Sequence, residues 1–207
     1  MKIITKKIFP DFSLPLPIYT SIHIADGVGK DGEEFDVYVG LNEKQAEQVK
    51  NLSLDENDSE LQNNTGDLNR FGYGSYEDWY KKNRTPFCVI HKRTDALAAL
   101  IWFGPKLLGK KSIKFGKAME EGEQSDPVDN WHTIVFRSYP PFRGKGLMKN
   151  FALFAMDIYK KHFPHAMFWL GTNDGNKGMR KLGLELNFEP DENASDLSMN
   201  WLVMIKK

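Results

Sequence analysis

The segment from Trp131 to Lys160 constrains the fold of this chain more than any other. It begins as a β-prone run, breaks at Pro140-Pro141, passes through a glycine-containing turn and continues as a helical pattern. That helical pattern carries one apolar stripe, formed by Leu147, Phe151, Phe154 and Ile158. A stripe of this width should lie flat on a sheet. A strand, a glycine turn and a helix start also leave several N–H groups without helical partners, which predicts an anion site.

The rest of the sequence predicts a mixed α/β, or α+β, chain. The pattern places strands and helices in alternation without a linker or an internal repeat, which favours one domain over residues 1–207. Within it, residues 1–33 form an N-terminal strand and hairpin extension, and residues 104–129 form an insertion of uncertain structure. The predicted strands lie at 2–9, 20–25, 34–39, 86–92, 96–103, 131–139, 166–171 and 197–206, and the helices at 42–54, 75–82, 146–160 and 176–186.

Composition excludes several function classes. The 28 basic residues balance the 28 acidic ones, so net charge supports neither a nucleic-acid partner nor an anionic membrane. Cys88 is the only cysteine, which rules out an intrachain disulfide and fits a reducing compartment. The N-terminal residues lack a continuous apolar stretch of the kind found in signal peptides. We therefore expect a cytoplasmic protein with no membrane partner.

Two familiar phosphate-binding patterns do not fit the sequence. The dinucleotide fingerprint G-x-G-x-x-G fails after Gly144-Lys145-Gly146, because Lys149 occupies the third glycine position. Residues 104–110 spell G-x-x-x-x-G-K, as a P-loop does. The next position must supply a hydroxyl to Mg²⁺, and it is Lys111. An anion site at the turn before the long helix therefore needs another template.

The turn resembles the (R/Q)-x-x-G-x-(G/A) signature of the GCN5-related N-acetyltransferase (GNAT) superfamily. Arg143-Gly144-Lys145-Gly146-Leu147-Met148 matches it except at Met148, where the family has a small residue. A second stretch, 176–188, resembles the family's N-x-x-A-x-x-L-Y-x-x-x-G-F segment, with Asn176, Leu182 and Phe188 in register. There Asn187 replaces a glycine that often has positive φ, which asparagine tolerates. The resemblance extends from Glu34 to the end of the chain.

The resemblance implies the GNAT fold and an acetyl-CoA-dependent N-acetyltransferase. That fold has a twisted, mostly antiparallel sheet flanked by helices and splayed between the strands at 131–139 and 166–171. The acceptor would be a small-molecule or peptide amine that attacks acetyl-CoA directly in a ternary complex, without a metal. Nucleic acid and membrane are not expected as partners, and a homodimer is left open. The implied coenzyme A contacts are Phe136, Arg137, Ser138, Arg143, Gly144, Lys145, Gly146, Leu147, Met148 and Asn176.

The catalytic groups are less clearly indicated. Many relatives carry a tyrosine that protonates the leaving thiolate, and this chain has Gly183 at that position. Some relatives place a carboxylate eleven residues before the motif, where this chain has His132. His132 is either the general base, with a suitable pKa, or a strand histidine with a satisfied hydrogen bond. A rival hypothesis, favoured by Gly183 and Met148, is a non-catalytic GNAT-like module that binds coenzyme A as a sensor or interaction domain.

An aromatic cluster lies in the segment that borders the acceptor pocket in this family. The resemblance therefore predicts an acceptor site that is partly apolar and aromatic rather than strongly acidic. A purely structural role, packing the second helix on the sheet, explains Trp79 and Tyr80 equally well. The cluster consists of Phe71, Tyr73, Tyr76, Trp79 and Tyr80.

Overall fold

A computed structural model describes residues 1–5, 11–110 and 130–207 of the chain. Its strands are β1 (Lys2–Thr5), β2 (Ser21–Val28), β3 (Glu34–Gly40), β4 (Thr85–His91), β5 (Ala96–Pro105), β6 (Trp131–Ser138), β7 (Met167–Asn173), β8 (Glu189–Pro190) and β9 (Trp201–Lys206). Its α-helices are α1 (Glu43–Leu54), α2 (Ser59–Asn64), α3 (Tyr76–Tyr80), α4 (Met148–His162) and α5 (Lys177–Glu185). A π-helical turn (Leu68–Gly72) precedes α3, and a 3₁₀ turn (Leu197–Met199) precedes β9.

All the described strands belong to one sheet in the order β1-β2-β3-β4-β5-β6-β7-β9-β8. Neighbouring strands are antiparallel except β6 and β7, which are parallel. In the N-terminal part of the chain, β1 pairs with β2 and β2 pairs with β3 at one edge of the sheet. The predicted insertion begins inside β5, which continues to Pro105, and most of it lies outside the described residues.

The parallel ladder between β6 and β7 is short. It contains only the pairs Trp131↔Met167, His132↔Phe168 and Thr133↔Trp169. Beyond Thr133, β6 stays paired with β5 on its other side and β7 stays paired with β9. The two strands therefore diverge from residue 134 onward, which confirms the predicted splay and leaves one edge of each strand open.

The described residues form three hydrophobic clusters, of which the two larger ones cover the two faces of the sheet and the third surrounds Trp169. Phe87 and Val89 belong to the cluster beneath α4, whereas their neighbours Cys88 and Ile90 belong to the cluster beneath α1 and α3. This alternation follows from the two-residue period of a strand. The apolar stripe of α4 is buried on the first cluster through Phe151, Ala152, Ala155 and Ile158. We call the two sides the α4 face and the α1–α3 face.

Helix starts agree with the sequence, while some strand ends do not. Asn42 caps α1 in a capping box with Gln45, and Ser75 caps α3. Strand β2 runs to Val28, beyond the predicted end at residue 25, so the loop before β3 is shorter than expected. The last strand was predicted from Leu197 and begins at Trp201, because Asn200 adopts a left-handed conformation with φ 53° after the 3₁₀ turn. Within the described ranges, no helix is long and apolar enough to span a bilayer.

Candidate functional site

The turn between β6 and α4 is shaped by two glycines. Gly144 has φ 78° and Gly146 has φ 71°, a region that side-chain-bearing residues seldom adopt. A Cβ atom built at Gly144 would meet nothing within 4 Å, and one at Gly146 would lie 3.7 Å from Lys30 Cε. Conformation, rather than crowding, is therefore the reason for glycine at both positions.

The same turn presents backbone N–H groups outward from the start of α4. Leu147 occupies the N-cap position and supplies no side-chain cap. Among the described residues, none accepts a hydrogen bond from the N–H of Gly144, Gly146, Leu147 or Met148. Left-handed glycines within a turn gather such groups into a concave anion site, and the dipole of a 15-residue helix adds positive potential there. The geometry fits a phosphate or pyrophosphate group.

A slot lies beside this turn, between the diverging ends of β6 and β7. Its β6 wall starts at residue 134, immediately after the last ladder pair, and ends at Ser138, five positions before Arg143. Ile134 and Phe136 are buried toward the α4 face. The unpaired edge of β6 thus ends shortly before the turn at 143–148, and its Ile134 and Phe136 side chains belong to the core beneath α4.

No protein-family profile and no curated protein matches the sequence. Solved structures do match. The GNAT domain of S. lividans PAT covers 87% of this chain and 94% of its own length, with TM-score 0.57 and 12% identity. An acetyltransferase from Agrobacterium tumefaciens covers 98% and 99%, with TM-score 0.56 and 10% identity. RimL, a ribosomal L7/L12 alpha-N-protein acetyltransferase in complex with coenzyme A, covers 82% and 93%, with TM-score 0.55 and 13% identity.

The chain has the GNAT fold. At 10–13% identity these likenesses concern architecture, so the roles of individual residues must be judged from their contacts. In this GNAT fold the splay, the turn at 143–148 and helix α4 occur in the order that the sequence motif predicts. The residues predicted to contact coenzyme A at 136–138 lie at the end of β6, and those at 143–148 lie in the turn before α4 and at the start of α4. Their contact with coenzyme A stays a prediction.

Arg143 does not direct its side chain into the turn. Its guanidinium binds both carboxylate oxygens of Asp58, at 2.7 and 2.6 Å, and its Nε donates to the Ser138 carbonyl at 3.0 Å. The hydrogen bonds to Asp58 hold the pKa of Arg143 above its usual range. Asp58 also caps α2 by accepting from the Leu61 N–H. The Arg143 side chain therefore links the turn to the start of α2.

Arg137 is also occupied within the protein. Its Nη2 donates to Asp67 Oδ1 at 2.9 Å, its Nε contacts the other oxygen, and Arg70 contacts the same carboxylate. Burial alone would raise the pKa of Asp67, but the two guanidiniums reverse this and lower it. Arg137 Nη1 also donates to the Phe136 carbonyl at 2.8 Å. Any contact of Phe136 and Arg137 with a bound molecule would thus come from the backbone of β6.

The remaining predicted contacts have identified partners of their own. Lys145 Nζ lies 3.4 Å from Asp31 in the β2–β3 loop, and Leu147 is buried in the core beneath α4. Asn176 caps α5, with its Oδ1 accepting from the Met179 N–H at 3.0 Å. The Asn176 side chain therefore serves as a helix cap, and its contact with coenzyme A stays a prediction.

His132 lies inside the paired part of β6, before the slot opens. Its Nδ1 is 2.7 Å from the hydroxyl of Tyr159 on α4. Burial, and secondarily the charge of Arg84, lowers the pKa of His132 to about 4. A neutral histidine with so low a pKa is a weak base, and its hydrogen bond matches the structural alternative that the sequence left open. The catalytic role of His132 stays a prediction without geometric support.

Gly183 faces the sheet from α5. A Cβ atom there would lie 2.8 Å from the Met204 sulfur and 3.5 Å from Leu170 Cδ2. The Met204 side chain occupies the space into which a larger residue at 183 would extend. A tyrosine at position 183 would therefore have to displace Met204. Tyr139, which follows β6, is fully buried in the cluster on the α1–α3 face.

The aromatic segment mostly belongs to the core. Phe71, Tyr76, Trp79 and Tyr80 are buried on the α1–α3 face. Tyr73 is 72% exposed and is the one member of the set that a bound acceptor could reach without rearrangement. For Trp79 and Tyr80 this agrees with the packing role. The apolar acceptor site expected from this cluster therefore has little support beyond Tyr73.

One group of described residues has the composition of a metal site. Ligand atoms of His23, Asp26 and Asp36 lie within 4.8 Å of one another. The ammonium of Lys92 lies 2.7 Å from Asp26 and 3.5 Å from Asp36. A cation from the chain already neutralises these carboxylates, so this cluster gives no reason to add a metal to the site.

Sequence reasoning missed the acidic partners of the two arginines. Asp58 and Asp67 stand 85 and 70 residues before Arg143 and Arg137. The position of Asp58 before a short helical run marks it as an N-cap, which was a readable signal. Nothing local in the sequence relates either aspartate to its arginine.

Proposed function

We propose that this protein transfers an acetyl group from acetyl-CoA to a primary amine by direct attack in a ternary complex. The observation that carries the proposal is the uncapped start of α4, where left-handed Gly144 and Gly146 present N–H groups beside an open strand edge. A diphosphate fits that turn, and a narrow acyl-carrying arm fits the slot behind it. The GNAT fold, shared with acetyltransferases, supports the same reading.

Bound acetyl-CoA would supply an activated thioester, whose carbonyl carbon the amine attacks while the C–S bond breaks. This chain would contribute mainly binding and orientation, which can account for a large part of an acyl transfer rate. The N–H groups of Gly144, Gly146, Leu147 and Met148 would hold the pyrophosphate, and the open edge of β6 at 136–138 would align the arm. Arg143 would keep the turn in place through Asp58.

Proton transfer is the part that this chain is least equipped to perform. Gly183 has no side chain to protonate the departing thiolate, whose ordinary pKa of about 8.5 lets it leave unaided. The amine must lose a proton to water or to a group of the acceptor complex, since His132 is buried with a lowered pKa. The proposal therefore requires positioning without a strong acid or base.

A second function is favoured by the same two observations. A GNAT-like module that binds coenzyme A without turnover would tolerate both Gly183 and a neutral His132. It would retain the turn and the slot, since these serve binding alone. RimL acts on a ribosomal protein, and a peptide amine is accordingly one of the acceptor classes to include in any test.

Two measurements distinguish these functions. Calorimetric titration with acetyl-CoA tests the site, and release of free thiol across small-molecule and peptide amines tests turnover. Binding together with thiol release on at least one amine supports the acetyltransferase. Binding without release on any amine supports the non-catalytic module. The absence of binding to acetyl-CoA and to longer acyl-CoAs would refute both.

A further inference from the structure

Three strands meet side by side where the slot begins. Gly104 of β5 pairs with Thr133 of β6, and Thr133 pairs with Trp169 of β7. All three positions face the α1–α3 side, because Trp102 on β5 belongs to that cluster while His132 and Ile134, which flank Thr133, face α4. Adjacent strands are about 4.8 Å apart, so this row is about 10 Å wide.

A cation lies at each end of this row. Arg84 crosses Gly104 so closely that a Cβ atom there would be 2.5 Å from its Nη1. Lys106 places its ammonium 5.3 Å from the centre of the Trp169 ring. Backbone bonds fix Lys106, whose N–H donates to the Trp131 carbonyl at 3.1 Å and whose carbonyl accepts from Trp169 Nε1 at 3.0 Å. The Arg84 guanidinium therefore lies at Gly104 and the Lys106 ammonium at Trp169, the two positions whose strands flank Thr133.

Neither cation is neutralised by the described part of the chain. No carboxylate of residues 1–5, 11–110 or 130–207 forms an ion pair with Arg84 or Lys106. Among the described residues, the only hydrogen-bond acceptor of the Arg84 guanidinium is the Pro105 carbonyl, at a long 3.4 Å. On the same face, by contrast, Arg70 and Arg137 share Asp67.

Two half-buried positive charges near each other are unfavourable without a counterion. The pKa of Lys106 falls to about 7, through burial first and then through the charges of Arg84 and Arg70. The pKa of Arg84 falls to about 10 for similar reasons. An oxyanion bound between them would relieve this cost, because charge-assisted hydrogen bonds to guanidinium and ammonium groups are strong.

We propose that Arg84 and Lys106 bind an oxyanion, a carboxylate or a phosphate, carried by the amine that the protein acetylates. This inference rests on the proposed function, since it places the amine in the slot from residue 134 onward and its anionic group over Thr133. A strand rises about 3.3 Å per residue, so the oxyanion and the amine would be separated by only a few bonds. The preferred acceptor is therefore an acidic amine.

Ligand-detected NMR on the full-length, coenzyme A-loaded protein tests the inference with two matched pairs of amines. β-Alanine is compared with β-alaninamide, and phosphoethanolamine with ethanolamine, so that each pair differs in its anionic group. We expect the anionic member of at least one pair to bind at least tenfold more tightly. The carboxylate and phosphate arms show which oxyanion is preferred.

Variants assign the preference to these two residues. Lys106→Met and Arg84→Met should reduce the difference within the preferred pair to about twofold or less, while leaving the neutral member unchanged. Lys106→Arg should retain the preference. The matched control is Lys161→Met, which removes an exposed cation of α4 that pairs with Asp157.

The inference is overturned if both members of each pair bind alike, if none of the four amines binds, or if Lys106→Met weakens both members equally. Acetyl-CoA binding is measured separately on the same preparation. If the unmodified protein does not bind acetyl-CoA, the proposed function is refuted. If it binds acetyl-CoA but shows no preference for anionic amines, only the oxyanion site is refuted.

Discussion

The turn at residues 143–148 and the row at Gly104, Thr133 and Trp169 are built in opposite ways. The turn offers backbone N–H groups, whereas the guanidinium of its Arg143 is already paired with Asp58. The row offers side-chain charges that the described chain leaves without acidic partners. A backbone site accepts any ligand with a suitable phosphate, whereas a side-chain site selects among ligands. In this protein, backbone N–H groups would therefore bind the coenzyme, whereas side-chain charges would select the acceptor.

Replacing Asp67 should have the largest effect on stability. Asp67→Asn leaves Arg70 and Arg137 close together without their shared, fully buried carboxylate. We expect a loss of about 3–5 kcal/mol in the free energy of unfolding, as is typical when one partner of a buried ion pair is removed. Urea unfolding measures it. The control Asp78→Asn, in an exposed pair with Lys81, should cost less than about 1 kcal/mol. Equal costs would show that the α1–α3 face does not depend on buried charge pairs.

The backbone character of the turn is tested by Gly146→Glu. The substitution places a side chain at a position with φ 71°, which is strained for any residue other than glycine. It also places a carboxylate beside the N–H groups that would bind pyrophosphate. We expect acetyl-CoA affinity to fall by about a hundredfold or more, which corresponds to about 2.7 kcal/mol, with the fold retained.

Gly32→Glu is the matched control for that substitution. Gly32 has φ 82° and open space around its Cα, so it shares the strain but lies outside the turn. Calorimetric titration and thermal unfolding of both variants separate strain from loss of binding. Unchanged affinity in Gly146→Glu would show that the turn is not the coenzyme site.

Replacing Arg143 should affect coenzyme binding only indirectly. Arg143→Gln removes the contacts with Asp58 and the Ser138 carbonyl, and leaves the N–H groups in place. We expect a stability loss of about 1–3 kcal/mol and an affinity loss of less than about tenfold. If its affinity fell as far as that of Gly146→Glu, the side chain would contact the ligand and the contrast between the two sites would weaken.

The smallest effect concerns His132. With its pKa lowered to about 4 by burial and Arg84, His132 stays neutral in the folded protein while the unfolded chain is protonated below about pH 6.5. Stability should therefore decline as pH falls from about 6.5 to 4, by about 1–2 kcal/mol after allowing for partial exposure. His132→Gln should flatten this decline in urea unfolding across that range, with His165→Gln as the control for losing a histidine.

The same variant bears on catalysis. If His132 is the general base, His132→Gln should lower kcat and change the pH–rate profile. If the acetyltransferase relies on positioning alone, the profile should keep its shape. An unchanged profile would remove His132 from the mechanism. Acceptor recognition would then be the main contribution of the residues at the closed end of the slot, around Thr133.

Local constraints explain how much the sequence could predict. A turn that needs left-handed glycines before an amphipathic helix is recognisable in consecutive residues, as is the positive φ of Asn187, observed at 62°. The contacts of Arg143 with Asp58 and of Arg137 with Asp67 join distant positions, and no periodicity relates them. Gly183 was recognised as a departure, but its packing against Met204 depends on a strand two elements later. The turn was therefore predictable, and the side-chain environment was not.

The three-pair ladder between β6 and β7 has a mechanical consequence. In the described part of the chain it is the only β-ladder that joins the strands from β1 to β6 to the strands β7, β9 and β8. Because these two parts of the sheet share only three residue pairs, one part can tilt relative to the other with the loss of few backbone hydrogen bonds. A molecule bound in the slot would contact both β6 and β7 and so restrict this tilting. Its arrival should therefore slow amide hydrogen exchange in β9, a strand that it does not touch.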